Sequence, residues 1–402
     1  MRTRILTRVL AAVMAVLVIV AAGCANTRPA TSVLLKPIPG YGAAPVMRVK
    51  LAGPSSAASA VVEAGKVTVT LDGERLPFDG RLELRPENGR VSAGELGSGS
   101  VVAVEPVEQP EHFSINGRTY RGSLRFTAAG GGWDVVNLVD LEQYVAGVIG
   151  WEMMAGWPVE ALKAQAVASR TYALFVMEEA RDKQRGWDLD DTTAYQVYGG
   201  VGPSNDQRLW RETPNVLAAR EQTTGQVLTY DGKGFKAFFH STSGGHTVDP
   251  RAGFGIDEVI EPLAGVDLGE FSKDSPKFRW ETRLDDNELT ARLIEARIQP
   301  SRLIRMEAAQ TAPGGHATRL KLFDSRGHNS EVGALELRKA LGLPSTSFEA
   351  AREGDTWVFR GRGYGHGVGL CQWSAKGMAV AGWDAYRILK TMYPGAEVKA
   401  AY

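Results

Sequence analysis

The chain has 402 residues, enough to bury a large core in two or three lobes, and its 46 Lys+Arg balance 46 Asp+Glu. With no long basic run, that balance argues against nucleic acid as a principal partner. The two cysteines are Cys24 and Cys371, so a lipid on Cys24 would leave no intramolecular disulfide.

The N-terminus reads as a targeting segment. Arg2, Arg4 and Arg8 precede an apolar run over 9–22 that is too short to span a bilayer. Ala21-Ala22-Gly23-Cys24 resembles a lipobox. This predicts a signal peptide over 1–23, acylation of Cys24, and an exported lipoprotein of the cell envelope held to a membrane, the outer one if the organism has one. An ordinary signal peptide or an uncleaved anchor is the alternative. Residues 24–45, with Pro29, Pro37, Pro39 and Pro45, read as a tether.

From 46 to 140 the chain alternates strand patterns with Gly-rich turns, which predicts a β-rich N-terminal lobe. Asp140 and Gln143 resemble a capping box opening a short helix over 141–148. The next helix has a clear start, because Pro158 suits the first helical position and Glu160 the first turn. Alanines at 161, 164, 166, 168 and 173 surround it, so neighbours can approach on several sides and the helix is buried. Its polar residues Lys163, Gln165, Ser169, Arg170 and Tyr172 are then informative, since buried Lys and Arg are rare unless paired.

Just before that helix stands Glu152, flanked by Trp151, Met153, Met154 and Trp157. An apolar setting disfavours the charged carboxyl, which suits a general acid at neutral pH. The plain alternative is a solvated loop residue, with Lys163 and Arg170 as structural ion-pair partners. Further on, strand patterns run into Ser241 to Thr247, helices are predicted over 215–223, 285–296 and 336–341, and strands near 303–308 and 318–323. Glycines at 361, 363, 365, 367 and 369 predict a strand with one bare face and Arg362, Tyr364, His366 and Val368 on the other. The predicted fold is α+β: the β-rich lobe, and a mixed core over 141–402 with the Ala-rich helix packed on strands.

Three chemistries compete at this level. His240, His246 and His366 could ligate zinc, although their spacing matches no standard metal motif. Ser241 and Ser243 near His240 invite a serine-hydrolase reading, but no G-x-S-x-G elbow is present. Trp151, Trp157, Tyr172, Tyr198, Tyr364 and Trp373 accompany Arg, Gln and His donors, as in a glycan groove; core packing is the alternative for many of them. His112, His316 and His328 stand apart and read as surface residues.

Several of these stretches form a pattern. Glu152 is followed by Trp157-Pro-Val-Glu-Ala-Leu-Lys-Ala-Gln-Ala-Val-Ala-Ser-Arg-Thr-Tyr172, then by Asp191-Thr-Thr, Gln196-Val-Tyr198 and Phe239-His-Ser-Thr-Ser-Gly-Gly-His-Thr247. Leu337-Arg338, Pro344-Ser-Thr346, Gly361 to Gly369, Gln372-Trp373 and Tyr393-Pro-Gly395 complete it. In this order the motifs resemble the stage II sporulation protein D family, also called the amidase-enhancer family. The resemblance implies a peptidoglycan lytic transglycosylase, a lyase of the cell wall acting on glycan strands, with a preference for those stripped of stem peptides, and with Glu152 as catalytic acid. It implies a cleft lined by Lys163, Gln165, Arg170, Tyr172, Gln196, Tyr198, His240, Ser241, Ser243, His246, Arg362, Tyr364, His366, Gln372 and Trp373. Some sporulation members carry zinc on His and Cys before the Gln-x-Tyr motif. Here that loop, 190–195, has neither residue type, so no metal and no cofactor is expected. A cell-wall amidase is a possible partner by the same resemblance. A non-catalytic glycan-binding enhancer and a zinc-dependent wall hydrolase are the rival readings, and Asp190 and Asp191 are the candidates for a second acid.

Overall fold

The computed structural model describes residues 33–107, 112–299 and 301–402. The expected signal peptide and Cys24 lie outside the described residues. The fold is α+β, and residues 34–402 pack as one unit.

The N-terminal lobe is a sheet in which Leu189–Asp190, Val46–Lys50, Gly132–Asp140, Ser123–Ala129, Val101–Pro106, Ala60–Leu71 and Glu74–Glu87 follow one another side by side. Strand alternation sends Met47, Val49, Val67, Val69, Val102, Val104, Leu124 and Phe126 into the core. The short Leu189–Asp190 strand runs parallel to Val46–Lys50 at the sheet edge, and so anchors the loop that follows it.

Asp140 caps the first core helix by accepting from the amides of Glu142 and Gln143. That helix runs over Leu141–Glu152, longer than the 141–148 expected, and Glu152 is its last residue rather than part of a loop. Its glycines serve close approach, not termination. A Cβ on Gly147 would lie 2.6 Å from the Tyr198 ring, and one on Gly150 would lie 2.6 Å from the Arg211 carbonyl. The Ala-rich helix spans Val159–Asp182 with Pro158 as its N-cap, one position outside the helix. Its alanines at 161, 164, 166, 168 and 173 are fully buried, packed among the helices Leu141–Glu152, Pro214–Gln222 and Gln372–Val380.

Two expectations are corrected here. The second half of the expected tether is part of the fold. Leu35–Lys36 pairs with Lys233–Phe235 in a four-stranded sheet, Leu34 is buried, and the Tyr41 hydroxyl donates to Glu178 at 2.8 Å. Prolines there fix φ in extended backbone, which an edge strand accepts as readily as a linker does.

The glycine alternation does not make a strand either. Thr356–Arg362 is the strand. After it, Gly363, Gly365, Gly367 and Gly369 take φ of 81°, 116°, 81° and 70°, a left-handed region that glycine alone enters freely. A Cβ on Gly369 would lie 2.0 Å from the Phe238 carbonyl, so crowding by the neighbouring segment adds to the conformational demand.

Phe239–His240 and Leu370–Cys371 then pair in parallel, bringing the two motif-rich segments side by side. Between them lies a second hydrophobic cluster that includes Trp280, Leu289, Leu293, Leu320, Leu337, Trp357 and Phe359, separate from the main core. The chain reaches and leaves this cluster at one place, where the Gly363 amide donates to the Lys277 carbonyl at 2.9 Å.

Candidate functional site

Glu152 is half-buried at the end of its helix. One carboxylate oxygen accepts from the Val197 amide at 2.7 Å, and the other from the Gln372 side-chain amide at 3.4 Å. Burial pushes its carboxyl above the usual range, while both hydrogen bonds pull it back. A half-buried carboxyl held by two donors and raised by desolvation is suited to giving and regaining a proton.

Local sequence explains how the partners arrive. The 195–200 segment lies against the Glu152 helix because Gly147 and Gly199 have no side chains. A Cβ on Gly199 would lie 2.2 Å from the Trp151 ring, whose nitrogen donates to the Gly200 carbonyl at 3.0 Å. The Arg118 and Arg211 guanidiniums stand 4.6 and 5.5 Å from the Trp151 ring centre. Trp151 is therefore engaged with Gly199, Gly200 and these arginines. Gln372 opens the Gln372–Val380 helix, capped by the Cys371 sulfur, which accepts from the Ser374 amide. The neighbouring Trp373 meets Trp157 edge-on with ring centres 4.9 Å apart, and its amide donates to the Ser241 carbonyl at 3.0 Å.

Glu152, Gln372, Trp373 and Ser241 thus come together, with Thr242 bridged to Tyr364 and Arg362 against Gly244. Tyr364 and Arg362 are exposed.

Other expected cleft residues are corrected to the frame. Arg170 is fully buried, with its guanidinium on both Glu142 oxygens at 2.7 and 2.6 Å. Gln165 is buried and donates to Ser169 at 2.9 Å. Gln196 accepts from the Tyr144 hydroxyl at 2.9 Å, and Tyr198 donates to Asn137 at 2.7 Å, both inside the core. Tyr172 packs its ring near Phe238. Ser243 is buried and accepts from the Gly245 amide. Lys163 pairs with Glu160 at 2.9 Å, and Glu160 also accepts from the Ala385 amide. None of these side chains bonds to Glu152. The Val197 amide, which does, carries no side-chain signal in the sequence.

The histidines are not arranged as metal ligands. His240 bonds to the Val368 carbonyl through Nδ1, and His366 uses Nε2 on the Phe239 carbonyl and Nδ1 on the Val368 amide. His246 turns its Nδ1 to the Thr247 carbonyl. Among the described residues no group of three or more His, Cys, Asp or Glu is placed to hold a metal ion. His316, expected at the surface, is buried against Thr346. Neither serine receives a hydrogen bond from His240; Ser241 shares one with Thr242. Asp190 is engaged by Thr192 of its own loop, and Asp191 accepts from the Ala52 amide.

A family model described as stage II sporulation protein matches residues 129–230, and a model described as a domain of unknown function matches 259–369. The stage II sporulation protein D of Bacillus subtilis (strain 168) is 32% identical over 275 residues, covering 66% of this chain and 76% of that protein. An uncharacterized protein of Brachyspira hyodysenteriae is 33% identical over 294 residues, 72% of this chain and 75% of that one. The amidase enhancer of Bacillus subtilis (strain 168) is 27% identical over 366 residues, 79% of this chain and 49% of that protein.

Proposed function

Because this chain belongs to the stage II sporulation protein D family, we propose that it is a peptidoglycan lytic transglycosylase with Glu152 as its acid and base. The observation that carries the reading is the Glu152 carboxyl itself, half-buried, raised by desolvation and held by the Val197 amide and Gln372. A hydrolase of the two-carboxylate type needs a partner acid across the scissile bond. Asp190 and Asp191 are engaged by their own surroundings. A lytic reaction uses one group twice. Protonated Glu152 gives its proton to the glycosidic oxygen between muramic acid and glucosamine as the bond to muramic C1 breaks. The carboxylate then takes the proton of the muramic C6 hydroxyl, whose oxygen closes on C1 as a 1,6-anhydro ring. Trp373, which follows Gln372 in the chain, and Trp157, edge-on to it, supply apolar surface for sugar rings.

The name of one relative, amidase enhancer, favours a second reading: a glycan-binding protein that assists a separate cell-wall amidase, without turnover of its own. Mass spectrometry of products from peptide-free glycan strands separates the two. The lytic reading expects anhydro ends from wild type and almost none from Glu152→Gln, since proton donation in such sites contributes about 10²–10⁴ in rate. Reducing ends, or intact strands, would sink it.

The proposal includes export and a lipid on Cys24, carried by the basic start and the apolar run before it. Cys24→Ser should leave the protein unprocessed or released from the membrane fraction; unchanged fractionation would remove the anchor.

A further inference from the structure

The second hydrophobic cluster carries a cavity of about 680 Å³, lined by residues that include Arg279, Glu281, Ser347, Glu349, Arg360 and Arg362. It opens on the three-stranded sheet of Arg279–Asp285, Thr356–Arg362 and Phe348–Glu353. The central strand has no side chain at Gly361, which pairs with Trp280 on one side and Phe348 on the other.

The charges in this cavity are unequal in their partners. Arg360 pairs with Glu281 and Glu353, each at 2.8–2.9 Å. Arg279 and Arg362 stand directly opposite each other on adjacent strands. Both are exposed, and neither has a side-chain hydrogen bond or ion pair with any described residue. Like charges directly opposite on neighbouring strands repel. An anion between the two guanidiniums converts that repulsion into two charge-assisted bonds, for which Arg has the right planar geometry.

The remaining lining selects among anions. Three arginines face two glutamates, so a run of phosphates would bring further negative charge against Glu281 and Glu349. A sugar bearing one carboxylate fits better: its acid lies on Arg279 and Arg362, and its hydroxyls reach Glu349 and Ser347. A series of residue contacts leads from the cavity lining towards the Glu152 region. Arg362 lies against Gly244, Thr242 bridges to Tyr364, and Trp373 bonds to Ser241 beside Gln372.

We propose that Arg279 and Arg362 form an acidic-sugar subsite that takes the free lactyl carboxylate of a muramic acid unit farther along the strand held at Glu152. This rests on the glycan-strand reading above. It supplies a reason for selectivity, because a stem peptide converts that carboxylate to an uncharged amide, which the arginine pair no longer holds as an ion.

The test measures binding of peptide-free glycan strands by calorimetry to the full chain carrying Glu152→Gln, so that turnover does not intervene. Adding Arg279→Gln and Arg362→Gln should weaken binding by about tenfold or more, and each single change by less. Strands whose lactyl carboxylates are capped as methylamides should bind as weakly to the Glu152→Gln protein as free strands do to the triple variant, and the triple variant should not distinguish the two ligands. A thermal melt checks that these exposed substitutions leave the fold intact. Equal affinity with and without the arginines, or tighter binding of inorganic polyphosphate than of glycan, would overturn the subsite while leaving the Glu152 reading standing. Absence of strand binding to any variant, with no cleavage by wild type, would instead remove the reading on which the subsite rests.

Discussion

Gln372 donates its side-chain amide to the Glu152 carboxylate at 3.4 Å, although 220 positions separate the two residues in the chain. The helix that ends in Glu152 and the helix that begins with Gln372 therefore meet at this carboxyl.

That bond favours the charged carboxyl, against the burial that raises it. Gln372→Ala should let burial push the Glu152 carboxyl higher. The basic limb of the kcat–pH profile is then expected to move to higher pH while kcat itself falls. A merely structural Gln372 would lower thermal stability and leave that limb where it was.

Glu152 also has a signature in stability. Its folded pKa lies above the ordinary value of 4.5 because burial disfavours the charge. The neutral group's contribution is fully present below the unfolded pKa and is lost as pH rises through the folded one. Glu152→Gln keeps the bond from Val197 and removes the charge, so it should match wild type near pH 4 and be the more stable protein at pH 8. Urea denaturation at the two pH values checks this; a variant less stable at pH 8 would mean that the carboxylate is better solvated than its burial implies.

The Arg170–Glu142 pair is a frame element. Glu142 also accepts from the Gly225 amide at 3.1 Å and from the Tyr402 hydroxyl, and Arg170 donates to the Gln226 carbonyl at 3.0 Å. Arg170→Met leaves a buried carboxylate without its counter-ion, a change that costs about 3–5 kcal/mol. Adding Glu142→Leu should recover part of the loss. The measurement is chemical denaturation with kcat taken on the folded fraction. A fall in kcat at unchanged stability would return Arg170 to the cleft.

Three histidines, His240 and His316 buried and His366 half-buried, are expected to set the acid limit. Burial lowers His240 well below 6.5, and lowers His366 and His316 to about 4. Each folded pKa is depressed, so the unfolded chain takes up protons first as the pH falls. Their contribution is complete above about 6.5 and is lost progressively towards 4. Unfolding free energy should therefore be flat from pH 8 to 7 and decline below 6.5, and His316→Gln should make that decline shallower. An unaltered slope would show that His316 takes no part in acid unfolding.

Much of the core could be read from the sequence because its signals are local. Asp140 as a cap, Pro158 at a helix start and five small residues around one helix need no knowledge of distant partners. Of the candidate site, the residues that come together, Glu152, Gln372-Trp373 and Ser241, all stand in motifs visible in the sequence. The site was not legible where a residue's role depends on what it touches. Arg170 gives the same pattern whether it faces a sugar or Glu142, and a backbone donor such as Val197 has no residue type to reveal it. The glycine run failed for another reason. Alternating glycines are compatible with an open strand face and with repeated left-handed turns, and only the crowding by Phe238 and Thr242 decides between them.

The contact between Lys277 and Gly363 has a consequence for chain topology. The intervening segment is a closed excursion, and its two ends need no long loop to be brought together. Loop-closure entropy grows only slowly with length, so a segment of this kind can be lengthened, shortened or exchanged at little thermodynamic expense to its host. Replacing 278–362 by a two- or three-residue turn should therefore yield a smaller soluble protein that keeps the Glu152–Gln372 bond, with the Ser241 to His246 turn newly uncovered. Such a protein would be a natural acceptor for foreign domains at that junction.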